Sequence, residues 1–126
     1  MRIEHVALWA QDLEALCAFY VTHLGATAGE RYVNAAKGFS SRFLSWGDTG
    51  ARLEVMHREG LRTGPAEAAG WAHLALSLGS EAAVDAAAAR LRVAGVPVVD
   101  GPRRTGDGYY ECVVLDPEGN RLELTA

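Results

Sequence analysis

Ile3-Glu4-His5-Val6-Ala7-Leu8 and Trp71-Ala72-His73-Leu74-Ala75-Leu76 carry one pattern twice, a histidine at the head of alternating aliphatics. Arg52-Leu53-Glu54-Val55 returns as Arg121-Leu122-Glu123-Leu124, and Gly25 and Gly95 each close a helix-like segment. The three landmarks repeat at nearly one offset, about 70 residues, which marks a duplicated supersecondary unit. Half of a 126-residue chain would bury too little surface to stand alone, so the two copies are expected to share a core.

Each copy reads as strand, helix and three strands, an α+β plan. Residues 3–9 alternate, with Val6 and Leu8 on one face and His5, Ala7 and Trp9 on the other. Asp12 suits a helix N-cap, and Leu13, Leu16, Cys17, Tyr20 and Leu24 recur at helical spacing until Gly25 stops the run. Strands are expected over 26–33, 39–46 and 51–57. In the second copy a strand covers 71–78, and Ser80 caps an Ala-rich helix bearing Val84, Ala88, Leu91 and Ala94. Strands over 96–100 and 109–115 follow, then the turn Asp116-Pro117-Glu118-Gly119-Asn120 and a last strand over 121–125. The pattern predicts one domain over 1–126: a module of about 1–57, a Gly- and Pro-containing linker of about 58–70, and a module of about 71–126.

Composition narrows the function classes. Twelve Lys+Arg against 16 Asp+Glu give a net charge of −4, and Arg103-Arg104 is the one adjacent basic pair, which argues against nucleic acid as a partner. No apolar run nears the roughly 20 residues of a membrane helix, and no basic-then-apolar leader opens the chain. Cys17 and Cys112 each sit alone in an apolar segment and are expected to be buried free thiols, which suits a reducing cytoplasm.

Alternation also sorts the polar residues. His5 opposes Val6 and Leu8; Glu54 opposes Leu53 and Val55; His73 opposes Ala72 and Leu74; Glu123 opposes Leu122 and Leu124. All four are therefore expected on the strand faces away from the helices. Two neutral imidazoles and two carboxylates balance a divalent cation, and imidazole favours zinc, nickel, cobalt or iron(II) over magnesium or calcium. A histidine and a glutamate repeated together at matched positions are poorly explained by packing, because neither helps a core.

With these residues in place, the chain resembles the vicinal oxygen chelate superfamily, which includes glyoxalase I, thiol transferases, epimerases, extradiol dioxygenases and bleomycin-binding proteins. The resemblance rests on His5, on Asp12-Leu13 through Phe19-Tyr20 to Leu24-Gly25, on Arg52-Leu53-Glu54, and on Trp71-Ala72-His73-Leu74-Ala75. It rests above all on Asp116-Pro117-Glu118-Gly119-Asn120 running into Leu122-Glu123-Leu124. It implies two βαβββ modules forming a curved, barrel-like mixed sheet around a metal cleft, with His5, Glu54, His73 and Glu123 as metal ligands. The set His-Glu-His-Glu is similar to that of bacterial glyoxalase I. This implies isomerisation of a 2-oxoaldehyde hemithioacetal through an enediolate, on a divalent transition metal (nickel, cobalt or zinc, with iron or manganese as further options). Glu123 is then the better candidate for the base, with Glu54 sharing the role.

The chain departs from glyoxalase I at two positions that contact glutathione there: Trp9 replaces an arginine and Arg58 an asparagine. The resemblance therefore allows a thiol cosubstrate without implying that it is glutathione. The segment from Arg31-Tyr32-Val33-Asn34 to Phe43-Leu44 is similar to bacterial glyoxalase-like proteins. Trp9, Phe43, Met56 and Tyr110 are expected to line an apolar part of the pocket, and Arg42 or Arg58 to meet a substrate anion. His57 is expected to face solvent or the linker. The resemblance further implies a homodimer acting on a small molecule. Alternatives are an epimerase or dioxygenase on the same scaffold, and a metal-free binder of a small drug-like ligand.

Overall fold

A computed structural model describes residues 3–48, 50–62, 64 and 70–126. The chain forms two compact units, Met1–Gly64 and Pro65–Ala126. Of the expected linker, Arg58 ends a strand instead, and residues 63 and 65–69 lie outside the described residues.

The first unit begins with β1 (His5–Trp9) and α1 (Leu13–Leu24). Asp12 caps the helix, its carboxylate accepting from the Ala15 N–H at 2.9 Å. Gly25, at φ 69°, ends it in the left-handed region that a side chain disfavours. Then come β2 (Thr27–Ala28), β3 (Tyr32–Asn34), a 3-10 turn, β4 (Phe39–Ser45) and β5 (Arg52–Arg58). The sheet order is β1-β5-β4-β2, with β3 also on β4; β1 runs parallel to β5 and the other pairs are antiparallel.

The single strand expected over 26–33 is thus two short ones. Gly29 gives its N–H to the Phe43 carbonyl at 2.8 Å, and the Arg31 guanidinium turns to Glu14 and Ser40, so the strand breaks between them.

The second unit repeats the plan with β6 (Leu74–Ser77), α2 (Glu81–Val93), β7 (Val98–Arg104), β8 (Tyr110–Leu115) and β9 (Arg121–Thr125). Its order is β6-β9-β8-β7, again with the first strand parallel to the last. Ser80 caps α2 by accepting from the Ala83 N–H at 3.2 Å. Strand β6 is shorter than expected because its ladder with β9 begins at Leu74 opposite Leu122, leaving Trp71 to His73 ahead of it. Strand β7 begins and ends later than expected. It lies at the sheet edge, where Pro102 needs no N–H partner, and its register shifts between Val98 and Asp100 and again before Arg103.

Each unit has its own core between helix and sheet. In the first, Leu16 and Tyr20 of α1 are fully buried with Leu44, Leu53 and Val55 of the sheet. In the second, Val84, Ala88 and Leu91 of α2 are buried with Cys112, Val114, Leu122 and Leu124. Each large aliphatic so buried contributes roughly 1.5–3 kcal/mol relative to exposure. Because one face of each strand packs against the helix, alternation fixes which residues stand on the other. Both cysteines are buried and free, as the composition implies.

Candidate metal and substrate site

In the parallel ladder of the first unit Glu54 is level with Ala7, and His5 precedes Ala7 by two residues on the same face. The small alanine leaves the space beside the carboxylate open, and His5 reaches across it, placing Nε2 3.9 Å from Glu54 Oε2. The second unit repeats the arrangement: Glu123 is level with Ala75, His73 precedes it by two residues, and His73 Nε2 stands 3.2 Å from Glu123 Oε2.

Two donors held at about 2.0–2.2 Å on one cation, at tetrahedral or octahedral angles, are roughly 3.0–3.5 Å apart. The second pair falls in that range, and the first reaches it with a side-chain shift of under an ångström. Histidine and glutamate are thus a chemically sound half of a divalent site in each unit. Among the described residues, no group of three or more His, Cys, Asp or Glu side chains stands together as a metal cluster.

Sequence reasoning passed over Glu4, which lies next to His5 in the chain. Its carboxylate meets His5 Nδ1 at 2.5 Å and also holds the Arg52 guanidinium. The His5 ring and then Arg52 hold the Glu4 carboxyl below its ordinary range. An imidazole bonded through Nδ1 to a carboxylate presents its other nitrogen as a ligand, so Glu4 orients Nε2 toward Glu54. Alternation signals could not find this contact, because neighbouring residues nominally point to opposite faces.

In the second unit the bulged edge strand brings Asp100 level with Val113 and Arg103 level with Glu111, on the same face as Glu123. Arg103 Nε donates to Asp100 Oδ2 at 2.8 Å, and its Nη2 lies 3.8 Å from the largely buried Glu111 carboxylate. Asp100 raises the Arg103 pKa, with smaller contributions from Glu111 and Glu123, and Arg103 in turn lowers that of Asp100. Nothing in the local sequence signals this cluster, since it depends on the bulges.

The remaining expected pocket residues divide between the two faces. Phe43 is level with Glu54, Met56 follows Glu54 by two residues, Trp9 is level with Met56, and Arg58 is level with Phe39, so all four share the face of Glu54. Phe43 packs edge-on to His5 at 5.4 Å between centroids and beneath the Arg52 guanidinium at 4.1 Å.

Arg42 and Tyr110 do not join them. Arg42 is level with Val55 on the helix side, where it donates to the Gly29 carbonyl at 3.0 Å and pairs with Glu14 of α1 at 3.2 Å. It therefore ties β4 to the helix from the face opposite Glu54. Tyr110, two residues before Cys112, lies on the helix side of β8, and its hydroxyl donates to Asp85 of α2 at 2.7 Å. His57 also differs from expectation: half-buried on the helix side, its Nδ1 pairs with the Ala10 carbonyl at 2.9 Å.

Comparison with known proteins adds to this geometry. Residues 2–124 match the model of the Glyoxalase/Bleomycin resistance protein/Dioxygenase superfamily. An uncharacterised protein of Pseudomonas aeruginosa is 32% identical over 127 residues, covering 98% of this chain and 86% of its own. The crystal structure of a glyoxalase family protein from Enterococcus faecalis superposes with a TM-score of 0.83 at 26% identity, over 99% of this chain and 97% of that one. The trypanothione-dependent glyoxalase I of Leishmania major shares the fold, with a TM-score of 0.82 at 22% identity over 99% of this chain and 86% of its own.

Proposed function

The chain belongs to the Glyoxalase/Bleomycin resistance protein/Dioxygenase superfamily, and from that premise we propose that it is a metal-dependent lyase or isomerase of glyoxalase type. Its substrate is the hemithioacetal of a 2-oxoaldehyde or a similar small molecule with vicinal oxygens. The observation that carries this reading is the repeated pair. His5 with Glu54 and His73 with Glu123 occupy matching positions in two parallel ladders, each beside an alanine. In this proposal His5, Glu54, His73 and Glu123 are ligands to a divalent transition ion, nickel, cobalt or zinc. A bound cation supplies Lewis acidity toward the two substrate oxygens.

The remaining chemistry belongs to the chain. Glu123 takes the carbon-bound proton and returns it to the neighbouring carbon, with Glu54 able to share the transfer. Glu4 keeps the His5 ring oriented through Nδ1. Phe43 and Met56 exclude water on one side of the reacting carbons. We further take the working form to be a homodimer.

A metal-loaded sample assayed with methylglyoxal and a panel of thiols tests the reading. Turnover with at least one thiol, lost in Glu123→Gln, is the expected result. A protein that takes up no divalent ion would instead be a binder of a small ligand. A metal-loaded protein inactive with every thiol would point to another reaction of the superfamily.

A further inference from the structure

Two arginines of β5 flank Glu54 on its face of the sheet. Arg52, at the near end of β5, is held by Glu4. Arg58, at the far end, is exposed and makes no hydrogen bond or ion pair among the described residues; its guanidinium lies 5.1 Å from the Trp9 ring centroid. Trp9 is 45% exposed, and its indole N–H is likewise unbonded among the described residues.

Flat rings continue the surface: Phe39 meets Trp9 edge-on at 6.3 Å, and Tyr32, 56% exposed, lies 6.2 Å from Phe39. An unpaired guanidinium beside apolar surface is best matched by a carboxylate, which it can grip with two parallel N–H bonds. Ring faces and edges at these spacings favour another aromatic ring over an aliphatic group of the same size.

We infer that this corner binds an aromatic carboxylate: a flat ring against Trp9, Phe39 and Tyr32, with its carboxylate on Arg58. Resting on the function proposed above, this names the part of the substrate remote from the reacting carbons. Trp9 follows His5 by four residues of strand, roughly 13 Å, so ring and anion belong to the tail of the molecule.

The test uses the full chain stripped of metal by chelation, with calorimetric titration of 2-naphthoate, of decalin-2-carboxylate (same charge, no aromatic ring) and of 2-naphthylmethanol (same ring, no charge). Naphthoate is expected to bind about tenfold or more tighter than either analogue. Arg58→Gln should remove the advantage over the alcohol, Arg58→Lys should restore part of it, and Trp9→Ala should remove the advantage over the saturated acid. Absence of naphthoate binding, or binding unchanged in Arg58→Gln, overturns the inference. So does a wild-type dimer that dissociates in sedimentation when Trp9 is replaced, because the corner would then be covered by a second copy. Metal uptake measured on the same samples separates the two readings. Naphthoate binding without metal uptake sinks the proposed function alone, and metal uptake without naphthoate binding sinks the tail site alone.

Discussion

His73 Nε2 stands 3.2 Å from Glu123 Oε2, beside the small Ala75 that is level with Glu123 in the ladder between β6 and β9. The clearance beside the carboxylate is as much a part of the arrangement as the two ligands. We predict that Ala75→Leu, which places a branched side chain between them, lowers divalent-ion affinity about tenfold or more while leaving the unfolding midpoint nearly unchanged. Isothermal titration with nickel or zinc and a thermal melt read the two effects. Affinity equal to wild type would mean that the clearance is incidental.

Arg42 belongs to the architecture of the first unit. Arg42→Ala is predicted to cost about 1 kcal/mol of stability through its lost bonds to Gly29 and Glu14, without changing KM for any substrate. Urea denaturation and steady-state kinetics check this. A raised KM with unchanged stability would return Arg42 to the substrate.

Gly101 sits at φ +73° in the edge strand, and a Cβ there would come within 2.5 Å of the Glu111 carbonyl and 3.0 Å of Cys112 Cα. Both obstacles are backbone, so neither can move aside. Gly101→Ala should therefore destabilise the fold by about 2 kcal/mol or more and loosen the register that pairs Arg103 with Glu111. Chemical denaturation together with amide exchange on β7 and β8 measures it, and a neutral substitution would contradict the packing described.

The Cys17 thiol, 3% exposed under α1, is pushed up to about 11 by burial first and by the Glu14 carboxylate second. In the unfolded chain the thiol ionises near its ordinary value of 9.0. The native state therefore holds a proton that the unfolded state has lost, and the stabilisation present below pH 9 is lost as pH rises through about 11. Denaturation from pH 8.5 to 11 should show a decline of about 2 kcal/mol that becomes shallower in Cys17→Ala. Equal slopes in the two proteins would remove Cys17 as the cause.

Much of this was legible in the residues. The histidine-headed repeats and the Arg-Leu-Glu repeats located the first and last strands of each unit, and their period of two set the face of each side chain. Asp12, Gly25 and Ser80 marked helix ends because each satisfies or terminates the backbone by a local rule. Arg42 and Tyr110 stand on the helix side for a reason periodicity does not carry: it gives relative faces, and which face is covered depends on the helix partner, here Glu14 and Asp85. The split near Gly29 and the bulges of β7 were illegible because they follow from cross-strand bonds to Phe43 and Glu111, far along the chain. Glu4 escaped notice because its contact with His5 crosses the nominal alternation.

Metal stoichiometry tests whether the two His–Glu pairs are the metal ligands. Equilibrium dialysis against nickel, cobalt and zinc, followed by metal analysis, should find one tightly held ion per chain in the wild type. His5→Ala with Glu54→Gln, and separately His73→Ala with Glu123→Gln, should each abolish tight binding. Retention of the full complement of metal by either double variant would contradict the account.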